Sequence, residues 1–471
     1  MQRTPQIDQG DALRLIAAAL AEASRDGSLV SVAVVDAGGH LLCFERRDGA
    51  SAASSELAIA KARMATLIGR DTAGLEGAIN GERPGLLQVS AVLGQPAAAM
   101  GGGIALRFGD SLLGGIGVSG VTPQRDAEIA GAGAGALPPW PHLEAVSFSC
   151  TDADACAAFF CSQLGFRRLD AIDPGPDYAA LVGLPGARLK LVRLALGRER
   201  LELLEVLELA PGQRPGHPFP EDSRSNDLWF QHICIVVRDL EQASAGVRQA
   251  IAAGSLKPIS SAPQRLPDWN TAAAGIEAFK FHSPEGHSLE LLAFPPDKGE
   301  ARWHSHNEAS STDPAGLFLG IDHSAIGISD SVRSCRFYDE LLGLRLGGDG
   351  VNHGAEQDGL DGLAGTQVRI TGHRCSSGAG IECLDYRSPG GGRAMPADLS
   401  TQDRAHGQLR LLVGDAPAAL EAIASRVESY GGRVVSSDVV HLAPEQANAL
   451  GFNAGLQIAD PDGHRLQLVV R

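Results

Sequence analysis

Histidines and carboxylates are the side chains with chemistry to offer in this sequence, and their setting separates them. Glu290 lies between Leu289 and Leu291 in a run that reads as a buried strand, whereas Glu202 stands among Glu199, Glu205 and Glu208, some of which must face water. His287 and His464 each follow a glycine in a repeated Pro-x-Gly-His turn, where a hydrogen-bonding turn residue is the plain expectation. His40 is the only histidine before residue 142. A hard or borderline divalent metal with open coordination positions needs imidazoles and carboxylates converging from separate strands, so its ligands are far apart in sequence and close in space. Trp229, Trp269 and Trp303 read as packing anchors.

The elements that would position such groups are many. At 471 residues the chain exceeds what one core organises, and 44% apolar with 20% charged residues argues for folded domains. A net charge of -16 without a Lys/Arg-rich run removes the electrostatic basis for binding nucleic acid or an anionic membrane, which leaves small molecules as partners. The first residues show no leader pattern and no stretch approaches a membrane span, so a cytoplasmic location is expected. Eight dispersed cysteines without a CxxC pair read as reduced, buried thiols.

Leu13, Ile16, Ala17 and Leu20 predict one helical face, Leu29 to Asp36 and His40 to Arg46 a hairpin, and Ser54 to Leu67 a second helix. Strands are expected at 101–106 and 111–118, a helix after Thr122-Pro123, and a linker over 131–141. From His142 the chain repeats itself. Phe159-Phe160 with Leu164-Gly165-Phe166 matches Phe337-Tyr338 with Leu342-Gly343-Leu344; Asp222 and Asp227 match Asp398 and Asp403; Pro284-Glu285-Gly286-His287 matches Pro461-Asp462-Gly463-His464. The offset stays near 176 to 180 residues, and each half divides again, which gives four modules of βαβββ type.

Two resemblances follow. Residues 10–137 resemble the GlcG/HbpS family through Val34-Val35-Asp36-Ala37-Gly38-Gly39-His40, Arg46 with Asp48-Gly49-Ala50, Lys61-Ala62-Arg63 and Gly114-Gly115-Ile116-Gly117-Val118-Ser119-Gly120. That implies an α/β sandwich that forms homo-oligomers and, in some relatives, binds haem, with His40, Asp36 and Arg46 as the cofactor-binding residues. Residues 142–471 resemble the vicinal oxygen chelate superfamily, which includes glyoxalase I, bleomycin-type resistance proteins and extradiol dioxygenases, through the Leu-Gly-Phe helix ending and the Pro-x-Gly-His-x-Leu-Glu closing strand. The fold class is then α+β, with domains at 1–137, 142–297 and 316–471 and the four modules curved into two half-barrels.

In that superfamily the first and last strands of each module each aim one ligand at a divalent metal (Fe, Mn, Zn or Ni). The internal repeat places Ala145, His232, His323 and Gln408 at the first-strand positions and Glu202, Glu290, Glu382 and Gln467 at the last. If modules pair in sequence, neither site is complete. If the middle modules pair across the connector at 295–314, His232, Glu290, His323 and Glu382 form one full set. The metal ligands expected are therefore His232, Glu290, Glu202, His323 and Glu382, with Glu202 or Glu290 as the catalytic carboxylate and His406 as a substitute imidazole. The reaction implied is a glyoxalase-type lyase or isomerase step on a small oxygenated substrate. The alternatives are an Fe(II) dioxygenase, disfavoured by Phe279-Lys280-Phe281 where a His and a Tyr are usual, and a binding protein without catalysis.

Overall fold

A computed structural model describes residues 7, 9–88, 97–108, 111–137, 141–304, 316–376, 378–390, 392–414 and 416–471. Parts of the expected linker (138–140) and connector (305–314) lie outside these residues. The chain falls into two compact units, Arg3–Trp140 and Pro141–Arg471.

In the first unit, α1 (Gln9–Ser24), β1 (Ser31–Asp36), β2 (Leu41–Arg46), α2 (Ala52–Ile68), α3 (Thr72–Asn80), β3 (Gly103–Phe108), β4 (Ser111–Ser119) and α4 (Pro123–Ala134) follow in order. The strands form an antiparallel sheet ordered β2-β1-β4-β3. Helices cover both faces: Val32, Val34 and Ile116 pack with Leu15, Ile16 and Ile129, while Ala33 and Val35 pack under Ala58 and Ala62 of α2. The Gly-Gly-Ile-Gly run of β4 makes that second contact close, since a Cβ on Gly117 would stand 2.1 Å from the Ala58 carbonyl. α1 buries Ala12, Leu15, Ile16 and Ala19, and Leu13 is exposed. The expected face is rotated, with Ala12, Leu15 and Ala19 rather than Leu13 turned to the sheet beside Ile16.

The second unit contains the four modules. The first has β5 (His142–Cys150), α5 (Ala153–Leu164), β6 (Arg167–Ile172), α6 (Gly175–Leu181), β7 (Arg188–Leu196) and β8 (Glu199–Glu208). The second has β9 (Gln231–Val237), α7 (Leu240–Ala252), β10 (Lys257–Pro258), β11 (Gln264–Arg265), β12 (Glu277–His282) and β13 (Ser288–Ala293). The third has β14 (Phe318–Ile328), α8 (Ser331–Cys335) continued by one π-helical stretch, β15 (Arg345–His353), α9 (Ala355–Asp361), β16 (Gln367–Arg374) and β17 (Gly380–Ser388). The fourth has β18 (Gly407–Gly414), α10 (Pro417–Ala424), β19 (Arg433–Val434), β20 (Val440–His441), α11 (Pro444–Leu450), β21 (Ala454–Ala459) and β22 (Arg465–Val470).

The modules pair crosswise. β9 joins β14 antiparallel and builds one nine-stranded sheet from the second and third modules; β5 joins β18 and builds the other from the first and fourth. The stretches 142–297 and 316–471 therefore do not each close a sheet of their own, and each gives one module to both. Alternation assigns the two faces. Ile233, Ile235, Phe279, Phe281, Leu289 and Leu291 meet the helices in the large core, and the residues between them line the concave side. The repeated motifs tie the two sheets together: His287 Nε2 pairs with the Ser149 carbonyl at 2.8 Å and His464 Nε2 with that of Gly327 at 2.7 Å. Arg214 binds Asp403 and Arg393 binds Asp227 in the same reciprocal way. All eight cysteines are free. Trp229 and Trp303 are buried as expected; Trp269 is exposed instead and stacks on His353 at 4.2 Å.

Candidate metal centre

Pairing of β9 with β14 sets the geometry. Cys234 is flanked in register by Glu290 on β13 and His323 on β14, and Glu382 lies on β17 beside β14. Two residues before Cys234, His232 faces the same concave side. His232 Nε2 lies 3.1 Å from Glu290 Oε2, His323 Nε2 lies 3.7 Å from that same oxygen, and His323 Nε2 lies 3.3 Å from Glu382 Oε2. The donor atoms of His232, Glu290 and His323 all fall within 4.8 Å of one another. Three of the five expected ligands thus share one place, and a fourth, Glu382, reaches it through His323.

The surrounding charges define what that place lacks. Asp322 accepts from His323 Nδ1 at 2.9 Å and faces Arg374, and Lys280 is paired with Asp361 at 2.8 Å, with Glu290 at 3.9 Å on its other side. These pairs neutralise Asp322 and Asp361. Glu290 has Lys280 only at 3.9 Å and Glu382 has only the His323 ring, at 3.3 Å, and among the described residues His323 Nε2 and His232 Nδ1 are buried without a hydrogen-bond partner. The donor set therefore fits one divalent ion. Asp322 on the outer nitrogen of His323 orients that ring with its Nε2 inward, as ligand histidines require.

Burial and neighbours split the two imidazoles. Burial outweighs Glu290 at His232 and lowers its pKa to about 4, so that ring is neutral and ready to ligate. At His323 burial is overcome by Glu382, Asp322 and Glu290, which raise the pKa to about 10. Burial would push the Glu290 carboxyl up, but Lys280 and His232 hold it well below the usual range. Glu382 is the more open carboxylate, with 28% of its side chain exposed against 6% for Glu290.

Glu202 is not part of this cluster. It belongs to the other sheet, where crosswise pairing surrounds it with Ala145, Gln408 and Gln467, and Arg410 binds it bidentately at 2.6 and 2.8 Å. Arg410 Nε also donates to Gln467 Oε1 at 2.6 Å. In register, Arg410 stands opposite Ala145 and Gln467 as Cys234 stands opposite His323 and Glu290. The twin position is thus filled by a guanidinium, and the expected metal and catalytic roles of Glu202 are withdrawn. His406 supplies no ligand there either; it is buried against Ser149 Oγ at 2.9 Å.

In the first unit, His40, Asp36 and Arg46 do not converge on one pocket. The His40 side chain is 75% exposed, with Nδ1 at 3.2 Å from Asp36, and Asp36 also accepts from the Gly38 and His40 amides of the hairpin turn. Arg46 sits at the far end of the hairpin, opposite Ser31, so it cannot join Asp36 in a pocket or an ion pair.

Sequence reasoning missed Lys280, Asp361 and Asp322. A lysine between two phenylalanines in a strand was the available signal for the first. Asp361 matches Val182 in the repeat, a difference readable once the twin half is aligned.

A family model described as "Haem degrading protein HbpS-like" matches residues 7–135, and one described as "Glyoxalase/Bleomycin resistance protein/Dioxygenase superfamily" matches residues 320–468. Protein GlcG of Escherichia coli strain K12 is 34% identical over 113 residues, which is 24% of this chain and 81% of that protein. Among solved structures, protein ORFY of Klebsiella pneumoniae is 27% identical and aligns over 29% of this chain and 94% of its own, with a TM-score of 0.27. Glyoxalase I from Zea mays is 14% identical over 70% of this chain and 92% of its own, with a TM-score of 0.44.

Proposed function

Because the chain belongs to the HbpS-like (GlcG) family through its first unit and carries a glyoxalase-superfamily domain in its second, we propose that the second unit is a glyoxalase-type lyase or isomerase built around a single divalent ion. The observation that carries this reading is the convergence of His232, Glu290 and His323, with Glu382 against His323. A bound ion would supply Lewis acidity to two adjacent oxygens of a small substrate and lower the pKa of a neighbouring C–H. The chain's own part is to accept that proton. Lys280 and His232 hold Glu290 in place, whereas Glu382 is more open and has no lysine against it, so Glu382 takes the role of base.

Elemental analysis of chain purified without chelator should give about one divalent metal, lost in both His232→Ala and His323→Ala. In D2O, a panel of α-hydroxycarbonyl compounds followed by proton NMR should include one whose α-proton exchanges with solvent. Glu382→Gln should slow that exchange by at least about a hundredfold while retaining the fold. Metal-free protein as isolated, with no uptake on adding Mn, Zn or Ni, would remove the proposal.

A further inference from the structure

Beside the donors, the same half-barrel holds a cavity that its twin has closed. It has a volume of about 310 Å³ and opens at the ends of β9, β12 and β13, lined by Phe219, Trp229, Phe230, Lys257, His282 and Ser288. In the repeat, Gly463-His464-Arg465 stands for Gly286-His287-Ser288, so Arg465 replaces Ser288. Arg465 is buried, and its Nη2 donates at 2.8 Å to the carbonyl of Leu399, the residue that matches Ser223 on the cavity wall. The twin's arginine therefore crosses the space that stays empty here. Its Nη1 finds no partner, and burial together with Arg433 lowers its pKa to about 10. The volume is within the range of small-molecule sites.

Phe219, Leu256, three prolines and the edges of the largely buried Trp229 and Phe230 form the apolar surface. The charged groups are two cations and two carboxylates: Lys257 makes no ion pair among the described residues, while Arg404 on the wall shares its charge with Glu285. Glu285 is already engaged by Arg404, by the Thr151 hydroxyl and by the Thr151 and Asp152 amides, which leaves Glu221 as the one lining carboxylate without a partner among the described residues. An adjoining chamber shares Phe219, Trp229, Gln231 and Arg404 with the cavity, and on its wall His406 is 1% exposed with Nε2 unpartnered. Phe230 separates the cavity from the donors, its ring edge-on to His232 at 5.6 Å.

We infer that this cavity is a binding site for a small aromatic carboxylate, with the ring against Trp229, Phe219 and Phe230 and the carboxylate on Lys257. The site is distinct from the four donors and its occupation needs no ion. Calorimetric titration of the chelator-treated full chain with benzoate should show saturable one-to-one binding, and benzylamine should bind at least about tenfold more weakly, the scale of one charge-assisted contact. Ser288→Arg, which copies the twin, should abolish benzoate binding with the metal content unchanged. Lys257→Met, at an exposed position, should weaken benzoate about tenfold and leave benzyl alcohol unaffected. Absence of saturable benzoate binding, tighter binding of benzylamine, or full benzoate affinity in either variant overturns the inference. Metal content, measured in parallel, reports separately on the proposed enzyme.

Discussion

At the scale of single residues, His323 and His406 show how the same burial gives opposite protonation. Carboxylates on three sides keep His323 charged to about pH 10, so near pH 7.5 a proton stands where a cation would bind. An imidazole must be neutral to ligate. Uptake of a divalent ion at pH 7.5 should therefore release about one proton per chain, read as a dependence of the calorimetric enthalpy on buffer ionisation heat; no such dependence would contradict the assignment. His406 is the reverse case, with burial lowering its pKa to about 3 against 6.5 when unfolded. Because its folded value is the lower one, the unfolded chain binds this proton first as pH falls. Stability should drop by roughly 1.4 kcal/mol per pH unit from about pH 6.5 down toward 3 for this group. In His406→Gln, denaturant unfolding between pH 6.5 and 4.5 should have a shallower slope than wild type, and equal slopes would refute this account. The sequence made both histidines visible as candidates. It placed His323 as an expected ligand and His406 only as a substitute, but not their protonation, because Glu382 and Glu290 reach His323 from other strands and His406 is buried by another module.

Elements explain why Glu202 was expected at a site to which it does not belong. Internal repetition disclosed the four modules, and the strand positions of Glu290, Glu382 and Glu202 looked alike because each stands between two apolar residues. What differs is the partner strand, which sequence periodicity does not specify when connectors are long enough to reach either side. β5 meets β18 and so faces Arg410; β9 meets β14 and so brings two histidines together. The twin half therefore contains its own cation. Arg410→Met would leave Glu202 buried, 1% exposed, without its counter-charge, and should cost about 3–5 kcal/mol in unfolding free energy. Adding Glu202→Gln removes the stranded charge, so the double variant should regain most of that loss. If the double variant is as unstable as the single, the ion pair is not what Arg410 contributes. Cys234→Arg makes the complementary change, placing a guanidinium at the register-equivalent position beside Glu290 and His323. Metal content should then fall to zero while the far-UV circular dichroism stays native.

On the scale of the whole molecule, the two units have separate hydrophobic cores. Leu15, Ile16, Val32, Val34, Ile116 and Ile129 close the first, and the large core of the four modules closes the second without using any residue before 143. Any ligand that binds only the folded form of one unit stabilises that unit alone, by RT ln(1 + [L]/Kd), or about 2.7 kcal/mol at a hundredfold excess over Kd. The four donors all lie in Pro141–Arg471, so in scanning calorimetry of the full chain a divalent ion should raise the transition of that unit by several degrees and leave that of Arg3–Trp140 in place. His232→Ala, which removes a donor from the concave face, should abolish the ion-dependent rise. A shift of both transitions together, or one that persists in His232→Ala, would mean that the ion is bound outside the four-donor cluster.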